Sequence, residues 1–322
     1  MAFTMHSHSG QFCPGHAKDQ LEDIILHAIK VGYKTIGLTE HMPRTELSDL
    51  YPEELLPSPE VTLASLGPRH TAYLTEARRL QDKYASQIRI LIGFESEWIR
   101  PAYGTLIRSL AADSAIDYFI GSIHHAKGVP IDFDAPTYAA AVRACGGSEQ
   151  ALFAAYFDEQ FAMLETVRPR VVGHFDLVRL FSTDPGRSLK EEWNEEGVGE
   201  GKGEGPTAIW SRVLRNLEFV RGYGGWLECN TSALRKGLAE AYPKREIAEE
   251  WVRMGGRFTF GDDSHGIAQV ATNYVRGLDY LESLGVRELW TLERRVRTGG
   301  EETELVEMSV SIKEFRASLK LE

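Results

Sequence analysis

Two imidazoles stand one residue apart near the start of the chain, in Phe3-Thr4-Met5-His6-Ser7-His8. In an extended strand the i and i+2 side chains share a face, so His6 and His8 can hold one cation between them. If that cation is zinc, each nitrogen sits about 2.0 to 2.1 Å from it. Of the ten histidines, seven fall beside Gly, Asp or Glu at the ends of apolar runs: His6, His8, His16, His41, His124, His174 and His265. Glu95 and Asp263 stand in the same setting. Nine such donors exceed what one tetrahedral cation takes and suit a cluster of divalent ions. Mixed imidazole and carboxylate sites accept Zn, Fe or Mn according to supply.

The elements that must carry these residues alternate between strand and helix. Leu21, Ile24, Ile25, Ala28 and Ile29 build one apolar stripe of a helix over 17–31, closed by Gly32. Further helices are predicted over 70–85, 150–166, 208–220, 244–254 and 273–284, and strands over 34–39, 89–92, 118–120, 170–172, 225–229 and 257–260. With the opening run this makes seven strands, and the polar residues of interest follow the apolar run of each. A parallel barrel builds its active site from the C-terminal ends of its strands. The expected fold is therefore α/β, a distorted (β/α)7 TIM-like barrel in one domain over 1–322, with the metal site at that end. A strand over 288–292 is expected as an addition and the rest of the tail as peripheral.

Two stretches interrupt the alternation. Residues 42–68 are polar and proline-bearing, too long for an ordinary βα connection, and read as either a lid or a tolerated excursion. The acidic, Gly-rich segment at about 186–206 has too little apolar surface to offset its ordering entropy and is expected to be disordered.

Composition narrows the partners. With 322 residues and 43% hydrophobic content the chain can bury a large core. A net charge of -11 argues against nucleic acid and anionic membranes, while bound dications would still make a local positive pocket for a small anionic substrate. Three cysteines give no disulfide framework, and no signal-peptide or membrane-length apolar run occurs, so a cytoplasmic location is expected. The oligomeric state is not legible.

The series His6-x-His8, His16, Thr39-Glu40-His41, Gly93-Phe94-Glu95, Ser122-Ile123-His124, Gly173-His174 and Gly261-Asp262-Asp263-Ser264-His265 resembles, in order, the polymerase and histidinol phosphatase (PHP) family of metal-dependent phosphoesterases. The resemblance implies three divalent ions: one on His6, His8, Glu95 and Asp263, a second sharing Glu95 with His124 and His174, and a third on His16, His41 and His265. A carboxylate bridge at Glu95 makes electrostatic sense, since adjacent dications repel unless an anion lies between them. A related amidohydrolase would give no role to His16, His41 and His265.

Within the family, Cys13-Pro14-Gly15-His16, Gly121-Ser122-Ile123-His124-His125, His174-Phe175-Asp176-Leu177-Val178-Arg179 and Leu227-Glu228-Cys229-Asn230-Thr231-Ser232-Ala233-Leu234-Arg235-Lys236 resemble the standalone phosphatases of histidine biosynthesis. The substrate this implies is L-histidinol phosphate, hydrolysed by metal-activated hydroxide. Arg179, Arg235 and Lys236 are then candidates for the phosphate. Glu97, Asp176 and Glu228 are candidates for the substrate amine. Asp263 or His265 would protonate the leaving alkoxide, with Glu95 as the catalytic bridge. Gly15 is an extra residue relative to the family pattern. A nucleotide or nucleic-acid phosphoesterase and a non-enzymatic metal-binding regulatory barrel are the competing readings. His70 is expected at the surface, His125 in an outer shell or the core, and Cys13 and Cys229 as buried structural residues.

Overall fold

The computed structural model of the chain describes residues 1–56, 58–191, 193, 207–296 and 303–320. Seven parallel strands stand side by side: β1 (Ala2–Thr4), β2 (Tyr33–Leu38), β3 (Arg89–Glu97), β4 (Tyr118–Ser122), β7 (Val171–Val172), β8 (Trp226–Asn230) and β9 (Arg257–Gly261). Between β4 and β7 a small antiparallel ribbon, β5 (His125–Ala126) and β6 (Val129–Pro130), leaves the sheet. The ring closes where the Met5 amide donates to the Phe260 carbonyl at 3.0 Å and the His8 amide to Ser264 at 2.8 Å. The result is the expected distorted (β/α)7 barrel. Strand residues such as Ile90, Leu91, Ile92, Val171, Val172, Trp226 and Leu227 are almost wholly buried, as strands covered on both faces must be.

Outside the ring lie α1 (Leu21–Lys30), α2 (Pro59–Tyr84), α3 (Tyr103–Ala111), α4 (Ala135–Ala144), α5 (Glu149–Val167), α6 (Thr207–Tyr223), the short α7 (Ser232–Arg235), α8 (Arg245–Arg253), α9 (Tyr274–Ser283) and α10 (Ile312–Ser318). Helix α2 starts eleven residues before the expected 70, with Pro59 in its first turn, and runs through Pro68. Pro68 is exposed, so its missing N–H falls on the solvent side, while Leu66, Tyr73, Ala77, Leu80 and Tyr84 form a continuous buried stripe. His70 is half-buried on this helix, its ring 6.3 Å from that of Phe94, rather than at the surface.

The C-terminal segment is not peripheral. β10 (Glu288–Val296) and β11 (Thr303–Ser311) form an antiparallel hairpin. Its partners are residues at the starts of barrel strands: Glu293 pairs with Arg89, Arg294 with Asp117, and Glu307 with Arg170 and Arg257. The hairpin thus caps the N-terminal mouth, opposite the ligands. Helix α10 enters the outer layer at the β9–β1 seam, with the Phe315 ring 5.1 Å from Phe3, 5.4 Å from Phe260 and 5.9 Å from Tyr274. Of the acidic stretch at 186–206, residue 192 and residues 194–206 lie outside the described residues. Its beginning is ordered: Leu189 is buried, and Trp193 packs on Phe153 with ring centroids 4.8 Å apart.

Candidate metal centre

Glu95 sits inside β3 rather than beyond it, and the pleat puts Glu95 and Glu97 on one face. Its two oxygens divide the cluster. Oε2 lies 3.3 Å from His6 Nε2, 3.4 Å from His8 Nε2 and 3.3 Å from His41 Nδ1. Oε1 lies 2.9 Å from His174 Nε2 and 3.3 Å from His124 Nε2, and accepts the Ser122 hydroxyl at 2.6 Å. Asp263 Oδ1 completes the first group at 3.5 Å from both His6 Nε2 and His8 Nε2. Donors about 2.0 to 2.1 Å from a tetrahedral ion lie about 3.3 Å from one another. The spacings of the His6, His8, Glu95 and Asp263 atoms are those of ligands around a common centre.

Two further observations fit cations. The His6, His8 and Glu95 side chains are at most 1% exposed, yet His6 Nε2, both His8 ring nitrogens and His41 Nδ1 have no hydrogen-bond partner among the described residues. Buried polar atoms rarely stay unpaired. Burial lowers the proton affinity of His8, but the carboxylates of Asp263 and Glu95 outweigh it and push His8 up to about 9. Burial likewise opposes ionisation of Glu95, and the surrounding imidazoles, His6 and His124 foremost, still hold its carboxyl well below the usual carboxylate range. A site with this charge balance suits cations, and divalent ions would take the place of the protons. His41, lowered to about 4 by burial and by His8, is a neutral donor.

Outer contacts fix the ligands. His6 Nδ1 donates to Glu228 Oε1 at 2.9 Å, which turns Nε2 toward the cluster, and Glu228 Oε2 accepts from the His174 amide at 3.1 Å and Asn230 Nδ2 at 2.9 Å. Asp263 takes the left-handed φ of 48°, and the Arg235 guanidinium donates to the carbonyls of Asp262 at 2.9 Å and Asp263 at 2.8 Å. His265 and His41 stand on the far side of His8, each ring 4.5 Å from it. His16 reaches the same rim: its Nε2 is 2.9 Å from His265 Nε2, its Nδ1 3.2 Å from Glu53 Oε1, and its side chain is 39% exposed.

All nine expected ligands therefore meet at the C-terminal mouth, around a cavity of about 320 Å3 that Arg235 and Lys236 also line. Four expected substrate contacts do not reach it. Arg179 is buried, its Nε bonded to Asp176 Oδ2 at 2.8 Å and a terminal nitrogen to the carbonyls of Glu240 at 3.1 Å and Ala241 at 2.9 Å. Asp176 also accepts the Lys244 amide at 3.0 Å, so this pair braces a loop rather than clamping phosphate. Glu97 is fully buried against Arg44 and 3.3 Å from His41, and Glu228 is committed to His6. None of the three lines the cavity. Cys13 lines the cavity half-buried, whereas Cys229 is in the core as expected.

The sequence reading missed the outer wall. The 42–58 stretch lays Arg44, Tyr51, Glu53 and Glu54 along the cavity, with Arg44 tied to both Glu97 and Glu54. Asp132, Phe133 and Gln269 complete it. The only available signal was the concentration of charge in a loop too long for a plain connection.

The PHP domain family matches residues 4–232. A Schizosaccharomyces pombe protein named "Probable histidinol-phosphatase" is 40% identical over 294 residues, covering 91% of this chain and 90% of that one. The Saccharomyces cerevisiae histidinol-phosphatase is 33% identical over 292 residues, 86% and 87% of the two chains. Among solved structures, one from Listeria monocytogenes assigned as a histidinol phosphatase superposes with a TM-score of 0.71 at 24% identity over 85% of this chain and 99% of that one. The Lactococcus lactis histidinol phosphate phosphatase, complexed with zinc, L-histidinol and phosphate, gives 0.63 at 17% identity over 90% and 96%.

Proposed function

Because this chain belongs to the PHP domain family, we propose that its cavity hydrolyses L-histidinol phosphate to L-histidinol and phosphate, a phosphomonoesterase step of histidine biosynthesis. The observation that carries the reading is Glu95, one oxygen of which faces His6 and His8 and the other His124 and His174, beside the cationic Arg235 and Lys236. Three divalent ions are assigned: one on His6, His8, Glu95 and Asp263, one on Glu95, His124 and His174, and one on His16, His41 and His265. When bound, such ions supply Lewis acidity, lowering the pKa of water and neutralising phosphoryl charge. The chain's own groups do the rest. Arg235 and Lys236 hold and orient the phosphate, and the buried ring of imidazoles excludes bulk water. Asp263 or His265 would move the proton that the leaving alkoxide needs. The acidic wall of Glu53, Glu54 and Asp132 suits a small ester that carries an ammonium group better than a nucleic-acid polyanion. Three free cysteines accord with a cytoplasmic setting, and no helix among the described residues is long and apolar enough to cross a membrane.

The direct test is phosphate release from L-histidinol phosphate by purified, metal-analysed protein, set against a panel of small phosphomonoesters. A better kcat/KM for another class of ester would replace the substrate assignment. Dialysis against a chelator is expected to abolish release, and Zn, Fe or Mn to restore it; turnover by metal-free protein would sink the reading. His16→Ala is expected to lose one metal equivalent of three, read by elemental analysis. A further prediction concerns Arg235. Loss of its charge-assisted contacts should lower kcat/KM on the order of 10- to 100-fold, for histidinol phosphate and an aryl phosphate alike. An effect of Arg235→Ala confined to one substrate would show that it does not serve the phosphate.

A further inference from the structure

Five carboxylates line the cavity: Glu53, Glu54, Glu95, Asp132 and Asp263. Four have an identified counterpart. Glu95 and Asp263 face the imidazoles of His6 and His8. Glu54 pairs with Arg44 and accepts the Tyr51 amide at 2.8 Å. Glu53 presents Oε1 to His16 at 3.2 Å, though its Oε2 is buried without a partner. Asp132 has no ion pair or hydrogen bond among the described residues, and its Oδ1 is buried. A buried acceptor left without a donor is costly, more so when it carries charge, and such an atom in a cavity wall is matched by a donor on the ligand.

The backbone holds Asp132 in place. The Ile131 amide donates to the carbonyl of His124 at 2.9 Å, directly before it, and Asp134 caps α4 directly after it by accepting from the Thr137 amide at 2.8 Å. This short span, fixed at both ends, keeps Asp132 in the wall of the cavity that Glu95, His124 and His174 also line. Tyr51 and Phe133 line the same cavity and give its wall aromatic surface.

We infer that Asp132 receives the ammonium group of the substrate and makes the cavity selective for phosphomonoesters that carry a primary amine. The inference rests on the proposed phosphomonoesterase activity. It replaces the expected amine partners Glu97, Asp176 and Glu228: Glu97 and Asp176 also have one buried oxygen without a partner among the described residues, but of the four carboxylates Asp132 alone lines the cavity. Asp132 is a specificity-determining residue, distinct from the groups that act on the phosphorus.

The test compares kcat/KM for L-histidinol phosphate with that for its des-amino analogue, the phosphate ester of imidazolylpropanol, in wild type, Asp132→Asn and Glu53→Gln. The wild type should favour the amine on the order of 10- to 100-fold, the worth of a charge-assisted contact, and Asp132→Asn should collapse that ratio, chiefly through KM. Metal content is measured alongside, and Asp132→Ser gives the same readout should the Asn variant bind metal poorly. A ratio unchanged in the Asp132 variants, both substrates suffering equally, would show a structural role and overturn the inference. So would a collapse in Glu53→Gln with the Asp132 variants intact, or a wild type indifferent to the amine; each leaves the phosphatase reading standing. Absence of phosphate release from every ester would overturn that reading, and the inference with it.

Discussion

Glu95→Gln is expected to cut turnover on the order of a thousandfold or more and to leave the protein short of metal. The substitution keeps the side chain's shape and the Ser122 contact on one atom, so it isolates charge. Oε1 faces His124 and His174, and Oε2 faces His6, His8 and His41. Without the bridging anion, two dications would confront each other in a pocket where His6 and Glu95 are at most 1% exposed, and repulsion there is far stronger than in water. Elemental analysis of the purified variant, with phosphate release, decides the matter. Wild-type turnover at full metal occupancy would remove Glu95 from the bridging position.

The cluster was legible because its signal is local in kind if not in place. Each ligand sits directly after or within an apolar run, and strand ends of a parallel barrel converge whatever the intervening sequence does. His16 is carried on the loop before α1, and the structure brings it to His265. What failed was the reading of Arg179, Asp176, Glu97 and Glu228 as substrate contacts. A charged residue one turn beyond a strand can face the cavity or fold back under it, and sequence does not record which. Arg179 folds back because the carbonyls of Glu240 and Ala241, sixty residues on, need donors. Asp132 gave no signal at all. It is one acidic residue among 47 Asp and Glu, and only the fold shows that it lacks a partner.

For the fold, the seven core strands were visible as apolar runs, while two elements were misjudged by rules sound in isolation. Pro68 reads as a break, yet on the exposed face of α2 its lost hydrogen bond costs little against the buried stripe from Leu66 to Tyr84. The tail after 292 reads as peripheral because it follows the last of the seven core strands. Glu293, Arg294 and Glu307 are charged because they meet the charged starts of the barrel strands.

That tail carries the second large prediction. Deleting residues 288–322 is expected to prevent folding to a stable barrel, although no described residue of the segment lines the cavity at the metal centre. Leu289, Leu292, Val310, Ile312 and Phe315 are each at most 3% exposed. Burying five such side chains contributes roughly 10 kcal/mol, comparable to the whole net stability of an ordinary protein. The deletion would also strip Arg294 from Asp117, whose side chain is 7% exposed, and uncover Phe3, Phe260 and Tyr274 at the β9–β1 seam. A milder form of the same test is Phe315→Ala. It should cost about 3 to 5 kcal/mol and lower Tm by roughly 6 to 15 °C, while kcat/KM at 25 °C stays near the wild-type value, because the ring packs on the outside of the barrel. Thermal melts of the two variants beside the full chain settle it. A truncated protein melting within a few degrees of wild type would show that the seven-stranded ring holds its seam and its lower mouth closed unaided.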